Sequence, residues 1–233
     1  MKWLAERSAV FNLPLTAEQQ KQFSLYQELL LGWNERMNLT AVRQPQQIQE
    51  RHFLDSLTCA TVTGNLNGRS LIDVGTGAGF PGLPLKIVFP QLRLVLVESV
   101  AKKTEFLRAV VSALSLSDVQ IITGRSEVLG QSLAHREQYD WVTARGVAEL
   151  RVLVEYLLPL CRVGGHVLAQ KGDGVEEEVR EAATAVQTLG GAMPKIYPVL
   201  LPTREHYLVL IEKVAKTPVK YPRRLGVPAK RPL

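Results

Sequence analysis

Apolar residues near the start of the chain recur every three or four positions. Phe23, Tyr26, Leu30 and Trp33 follow Thr16, and the Thr16–Gln19 spacing is that of a helix capping box. Ile48, Phe53, Leu54 and Leu57 outline a second helix from Pro45 through Ala60. Residues 1–60 thus predict an all-helical cap whose apolar faces pack on a core. From residue 69 the texture changes to short apolar runs separated by amphipathic stretches. Ser70–Val74, Leu92–Glu98, Val119–Thr123, Tyr139–Ala144 and His166–Gln170 read as buried strands, with helical patterns between them at Lys102–Leu114, Glu149–Leu158 and Glu176–Leu189. Such alternation builds right-handed βαβ crossovers and an α/β fold: a mostly parallel sheet with helices on both faces. Tyr207–Glu212 adds a late strand, with Tyr197–Leu201 a weaker candidate. Pro218, Pro222, Pro228 and Pro232 predict an irregular tail. The expected organisation is a cap over residues 1–60, an α/β domain over 61–213 and a tail over 214–233.

Composition narrows the class. With 233 residues, 46% of them hydrophobic, the chain can bury one large core. Its 28 Lys and Arg exceed its 22 Asp and Glu for a net charge of +6, but the excess is local. Lys213, Lys216, Lys220, Arg223, Arg224, Lys230 and Arg231 have no acid among them, and residues 1–212 are left one charge negative. A near-neutral body with a basic tail points to a polyanion met by one segment. Cys59 and Cys161 lie far apart and form no disulfide framework or zinc pattern. His52, His135, His166 and His206 are scattered without metal-ligand spacing, so no metal is expected. The most apolar stretch, Tyr156–Ala169, contains Pro159, Arg162, Gly164, Gly165 and His166, and Glu6 and Arg7 interrupt any leader at the start. These features lead us to expect a cytoplasmic protein that meets no membrane.

The most informative segment is Asp73-Val74-Gly75-Thr76-Gly77-Ala78-Gly79-Phe80-Pro81-Gly82, a strand end followed by glycines that let a ligand approach the backbone, opening a helix near Leu83–Phe89. Gly77 to Gly82 formally matches the GxGxxG of dinucleotide sites. Yet Asp73, two residues before the first glycine, would repel a pyrophosphate and suits a cationic ligand end, as in S-adenosylmethionine. Glu98, closing the second strand, can accept from ribose hydroxyls in either case. Ser126 and Glu127 follow the third strand, where they could reach an adenine edge, and Arg145 follows the fourth. Where enzymes that methylate exocyclic amines carry [DN]PP[YF], this chain has Thr143-Ala144-Arg145-Gly146. Cys161 has no activating neighbours for attack on a pyrimidine, and it reads as core filler at a helix end. A ring nitrogen with a free lone pair, such as guanine N7, needs neither device and no general base.

The residues resemble those of the RsmG/GidB family, the bacterial small-subunit ribosomal RNA guanine-N7 methyltransferases, from about Trp33 to Leu233. The likeness rests on Trp33-Asn34, Met37-Asn38-Leu39-Thr40-Ala41-Val42, Arg51-His52-Phe53-Leu54-Asp55-Ser56-Leu57, the glycine loop, Lys102-Lys103, Ala144-Arg145, Lys171-Gly172 and Tyr221-Pro222-Arg223-Arg224-Leu225-Gly226-Val227-Pro228. It implies a Rossmann-like class I methyltransferase fold acting on a guanine of the 530 loop of 16S ribosomal RNA. The implied cofactor site comprises Asp73, Gly75, Gly77, Gly79, Phe80, Glu98, Ser126, Glu127 and Arg145. Arg145 and Asn38 are expected to orient the reaction. Arg51, His52, Lys171, Arg204, His206, Arg223 and Arg224 are expected to meet RNA. The family's usual arginine before the late strand falls at His206 here, with Arg204 two residues away. One copy of the chain is the expected working unit, on 16S RNA or the small subunit. An NAD-linked oxidoreductase and a non-catalytic RNA-binding assembly factor are the competing readings.

Overall fold

The computed structural model describes residues 1–233. Its first sixty or so residues form α1 (Lys2–Val10), α2 (Ala17–Asn34), α3 (Pro45–Ile48), a π-helical turn over Gln49–Leu54, α4 (Asp55–Leu57) and α5 (Ala60–Thr63). The capping box at α2 is made in both directions: Gln19 N donates to Thr16 Oγ1 at 3.2 Å, and Thr16 N donates to Gln19 Oε1 at 2.9 Å. Gln19 Nε2 also donates to Ile87 O at 3.1 Å, tying this helix to the sheet's own helices.

Strands and helices then alternate: β1 (Ser70–Val74), α6 (Gly82–Val88), β2 (Arg93–Glu98), α7 (Ala101–Ala113), β3 (Val119–Thr123), α8 (Ser126–Leu129), β4 (Tyr139–Arg145), α9 (Leu150–Leu157), β5 (Cys161–Lys171), α10 (Val175–Thr188), β6 (Lys195–Leu200), β7 (Glu205–Glu212) and α11 (Val227–Lys230). One seven-stranded sheet runs in the order β3-β2-β1-β4-β5-β7-β6. β1 to β5 are parallel, and β7 lies antiparallel between β5 and β6. Successive residues of a strand face opposite sides. Leu71, Leu94, Leu96, Leu168 and Leu208 therefore join a 30-residue core with α1, α2, α6 and α7. Ile72, Val95, Val97, Val142 and Val209 join a 26-residue core under α9 and α10.

The cap's apolar faces pack on the sheet face they cover in one continuous core. Four expectations change. The helix read over Pro45–Ala60 runs without a break to Leu57 but widens to a π turn over Gln49–Leu54, and it loosens into a turn after α4. Cys161 begins β5 and does not end a helix; it is fully buried, and burial pushes its thiol up to about 12. The tail is irregular only in part, because it contains α11 and buries Tyr221. Lys213 also leaves the tail's free charge: it is buried and donates to Leu158 O and Leu189 O, each at 2.9 Å.

The glycine loop is clamped against the cap. Tyr26 Oη donates to Ala78 O, and a Cβ at Gly79 (φ +99°) would lie 2.4 Å from Leu83 Cδ1 and 2.7 Å from Tyr26 Oη. Gly79→Ala is expected to destabilise the fold by about 2–4 kcal/mol, measured by denaturant unfolding.

Candidate active site

Neighbours of β1 leave in opposite directions through the sheet, β2 and β3 one way and β4 and β5 the other, so a crevice opens at the carboxyl ends of β1 and β4. The glycine loop sits there. Asp73 holds it closed from behind: Thr76 Oγ1 donates to Asp73 Oδ2 at 2.6 Å, and Gly82 N donates to the same atom at 2.8 Å. The carboxyl is fully buried, its Oδ1 has no partner, and burial pushes it up to about 6. Asp73 thus shapes the loop from inside. In front, Gly77 N donates to Glu98 Oε2 at 3.1 Å, and Val100 N donates to Glu98 Oε1 at 2.9 Å. Gly77 has φ +60°, and nothing lies within 4 Å of where a Cβ would stand, leaving an open cradle beside the Glu98 carboxylate.

Two clefts meet at this loop. One, of about 70 Å³, is lined by Gly75, Ser99, Ser126, Glu127 and Tyr156 among others, with Arg125 its one cation. The other, of about 370 Å³, is lined by Arg51, His52, Asp55, Arg145, Lys171, Arg204 and His206 with a single apolar residue, Val42. Their partition is the segment Arg145-Gly146-Val147: Gly146 lines the basic cleft and Val147 the small one. Gly75 is pressed against it, since a Cβ there would lie 2.6 Å from Val147 Cγ2.

Asp55 organises the basic cleft. Only 1% exposed, it accepts from Arg145 Nη1 at 2.8 Å and Gln170 Nε2 at 3.1 Å on Oδ2, and from Arg204 Nη2 on Oδ1, with His206 Nδ1 3.6 Å away. The π turn immediately before it, a feature that recurs at functional sites, brings the Arg51 carbonyl within 3.0 Å of Arg145 Nη1. It also buries Glu50, whose Oε1 accepts from Thr203 N at 2.8 Å and so fixes the β6–β7 turn that carries Arg204. The His52 ring lies 4.7 Å from the Phe80 ring, nearly parallel, and the Arg145 guanidinium lies 5.0 Å over the same ring. Phe80, expected against the cofactor, is 3% exposed and serves as the platform under both. Burial and Arg145 hold the His52 ring down to about 4, so it is neutral. A tautomer assigned with Nε2–H donating to Thr40 Oγ1 (2.7 Å) lets Nδ1 accept from Arg145 Nη2 (3.3 Å).

The remaining expectations divide. Arg51, His52, Lys171, Arg204 and His206 are brought together in one cleft. Lys171 has its ammonium engaged by Ala148 O at 2.8 Å and by Glu178. Asn38 stands exposed outside both clefts; the asparagine that orders its loop is buried Asn34, which accepts from Leu39 N and Thr40 N. Arg223 is turned inward onto buried Glu155, so its guanidinium is not a free RNA contact, whereas Arg224 is exposed. Asp55 and Glu50 are the residues that reasoning from sequence missed. The signal was there: two acids inside a segment read as an apolar helix.

The residues around the glycine loop decide which cofactor fits. The small cleft is lined by one carboxylate, Glu127, and one cation, Arg125, and the Glu98 carboxylate and the open cradle at Gly77 belong to the glycine loop that borders it. Glu98 can accept from the ribose hydroxyls of S-adenosylmethionine and Glu127 from its adenine edge. Sheet order and the glycine loop at the end of β1 define the class I methyltransferase fold. A S-adenosylmethionine-dependent O-methyltransferase from Thermotoga maritima has the same fold, with a TM-score of 0.55 at 15% identity over 81% of this chain and 72% of its own. Residues 19–207 match the family model of GidB, rRNA small subunit methyltransferase G. The Ribosomal RNA small subunit methyltransferase G of Roseiflexus sp. (strain RS-1) is 52% identical over 234 residues, covering 100% of both chains. That of Roseiflexus castenholzii is 53% identical over 224 residues, 96% of this chain and 95% of its own. The chain belongs to this family. It is a methyltransferase whose cofactor is S-adenosylmethionine, and the oxidoreductase and non-catalytic readings are set aside.

Asp55→Asn leaves Arg145 facing a neutral amide, while the more exposed Arg204 can turn to water. It is expected to cost about 2–4 kcal/mol in unfolding measurements and to lower the single-turnover methylation rate about 100-fold. Two shifts in the site act on stability with opposite sign. His52 has a folded value near 4 against an ordinary 6.5, so the unfolded chain binds the extra proton and stability rises with pH across that window. Asp73, near 6 against an ordinary 3.8, binds its proton in the folded chain, so stability falls as pH rises through its window. His52→Gln removes the first effect alone. Its Tm is expected to fall relative to the unmodified chain as pH rises from about 4 to 6.5, read in parallel thermal scans.

Proposed function

We propose that this chain transfers the methyl group of S-adenosylmethionine to N7 of a guanine in the 530 loop of 16S ribosomal RNA. The observation that carries the reading is the three-residue partition: the small cleft beside the glycine loop and a cation-lined cleft for an anionic acceptor share the Arg145–Val147 wall. The donor supplies an electrophilic methyl on a positively charged sulfur. Guanine N7 has its lone pair free at neutral pH, so the chain has no proton to remove and works by position and field. The two cleft histidines suit that role, because burial lowers both His52 and His206 and leaves them neutral.

Arg145 is the orienting residue of this reading. Its Nη1 is committed to Asp55 and to the Arg51 carbonyl, which fixes the plane of the guanidinium. Arginine ordinarily reads guanine through O6 and N7 together, but a donor on N7 would occupy the lone pair that attacks the methyl. Arg145 therefore contacts O6, a phosphate or the cofactor carboxylate. Arg51 and Arg204, both exposed at the cleft, and the tail cations hold the RNA backbone. In this reading the chain works as a single copy in the cytoplasm, on the small subunit or its RNA, and without a metal. Both clefts are built from one chain, and no helix is long and apolar enough to cross a membrane.

Mass mapping of 16S RNA from cells lacking the chain is expected to show the loss of one N7-methylguanine, and an unchanged map would sink the proposal. Arg145→Lys keeps the charge but not the planar fork. Its single-turnover rate is expected to drop by about 100-fold, and full activity would remove the orienting role.

A further inference from the structure

The segment 214–233 was expected to serve RNA alone, yet the structure fastens it to the cofactor side of the molecule. Arg136 donates from Nη1 to Tyr221 O and from Nη2 to Thr217 O, each at 2.7 Å, and Gln131 Nε2 donates to Pro222 O at 2.7 Å. Tyr221 is buried in the core under α9 and α10. Arg223 then grips Glu155, which is fully buried in α9: its backbone N donates to Oε1 at 2.7 Å, Nε to Oε1 at 2.9 Å and Nη2 to Oε2 at 2.6 Å. The next residue of α9, Tyr156, lines the cofactor cleft. Three residues beyond Arg223, Gly226 N donates to Glu127 Oε1 at 3.2 Å. Glu127 lines the cofactor cleft on one side and, on the other, a groove of about 410 Å³ walled by Lys220, Pro222, Arg223, Arg224 and Leu225. The same carboxylate thus faces both cofactor and tail.

We infer that residues 217–233 are a strap that sets the adenine end of the cofactor cleft, with Arg223 and Gly226 as positioning residues acting through Glu155 and Glu127. This rests on the S-adenosylmethionine reading of that cleft. Without Arg223, the Glu155 carboxylate is left buried and uncompensated next to Tyr156, and α9 must shift to bring it to water. Without the Gly226 N–H, one oxygen of Glu127 loses its partner and the carboxylate can leave the orientation the adenine edge requires. Lys220, Arg224, Lys230 and Arg231 are exposed and pair with no carboxylate, so they remain free for phosphates. RNA held on those cations steadies the strap, and a steadier strap favours the cofactor. Linkage makes the effect reciprocal.

The test is binding of S-adenosylhomocysteine to full-length variants by calorimetry, in the absence of RNA. Arg223→Gln is expected to raise Kd about tenfold, with Arg223→Lys intermediate because the ammonium keeps the charge without the fork. Arg136→Gln, which loosens the strap from its other end and touches neither Glu127 nor Glu155, is expected to raise Kd about threefold and covers the case in which Arg223→Gln does not fold. The variant with Lys220, Arg224, Lys230 and Arg231 all changed to Gln is expected to keep the unmodified Kd while losing RNA affinity. In methylation assays the strap variants should raise KM for the methyl donor more than they lower kcat. An unchanged Kd in folded Arg223→Gln and Arg136→Gln overturns the strap, as does an equal loss of affinity in the four-Gln variant, which would make the effect one of net charge. Failure of the unmodified chain to bind S-adenosylhomocysteine at all would instead overturn the cofactor reading beneath it.

Discussion

A carboxylate removed from water must be neutralised by something, and the substrate cleft is built from the groups that neutralise Asp55. Arg145 arrives from the end of β4, Arg204 from the turn before β7, Gln170 from β5 and His206 from β7 itself. These elements neighbour one another through the sheet, but only a buried charge requires their polar ends to converge within hydrogen-bonding distance of one point. The cost of burying Asp55 is offset only when the cations are in place, so the geometry of the cleft and the stability of the fold are set by the same contacts. The cap is drawn into the bargain because Asp55 belongs to it. The helices at the start of the chain are thereby an inner wall of the site as well as a cover for one sheet face.

Basic side chains are concentrated on the β4–β7 side of the partition at Arg145–Val147, where Arg51, Arg145, Lys171 and Arg204 converge around Asp55, while the small cleft on the other side carries one acid and one base. The net charge of +6 conceals this local concentration. Lys213 and Arg223, counted with the tail, are spent on backbone carbonyls and on Glu155, so the tail's outward charge is smaller than its composition indicates.

The strands and the longer helices were readable because burial on both faces imposes continuous apolar runs and amphipathic crossovers, patterns local to each segment. The glycine loop and Glu98 were readable because their backbone chemistry is local too. What escaped was non-local. No periodicity announces a π turn, and an acid within Phe53-Leu54-Asp55-Ser56-Leu57 looks like an interruption of a helix until the arginines that meet it, about 90 and 149 positions on, are seen in place. The bonds by which Asp73 shapes the loop from inside escaped too, since sequence does not tell which side of a loop a carboxylate takes. The part of Asn34 in ordering its loop escaped for a similar reason: only the fold shows which of two nearby amides turns inward.

The position of β7 in the sheet bears on how the protein is made. β6 is synthesised before β7, yet it pairs with nothing else, while β5 waits with an open edge for the same partner. During chain elongation there is an interval of about one to two seconds, at ordinary rates, in which β5 and β6 lack their shared partner and Asp55 has Arg145 as its only cation. The arrival of β7 closes both edges and delivers His206 and, just before it, Arg204. The last strand of the sheet and the second cation on Asp55 therefore arrive in a single event in the birth of the molecule, and a nascent chain stalled before residue 204 lacks both.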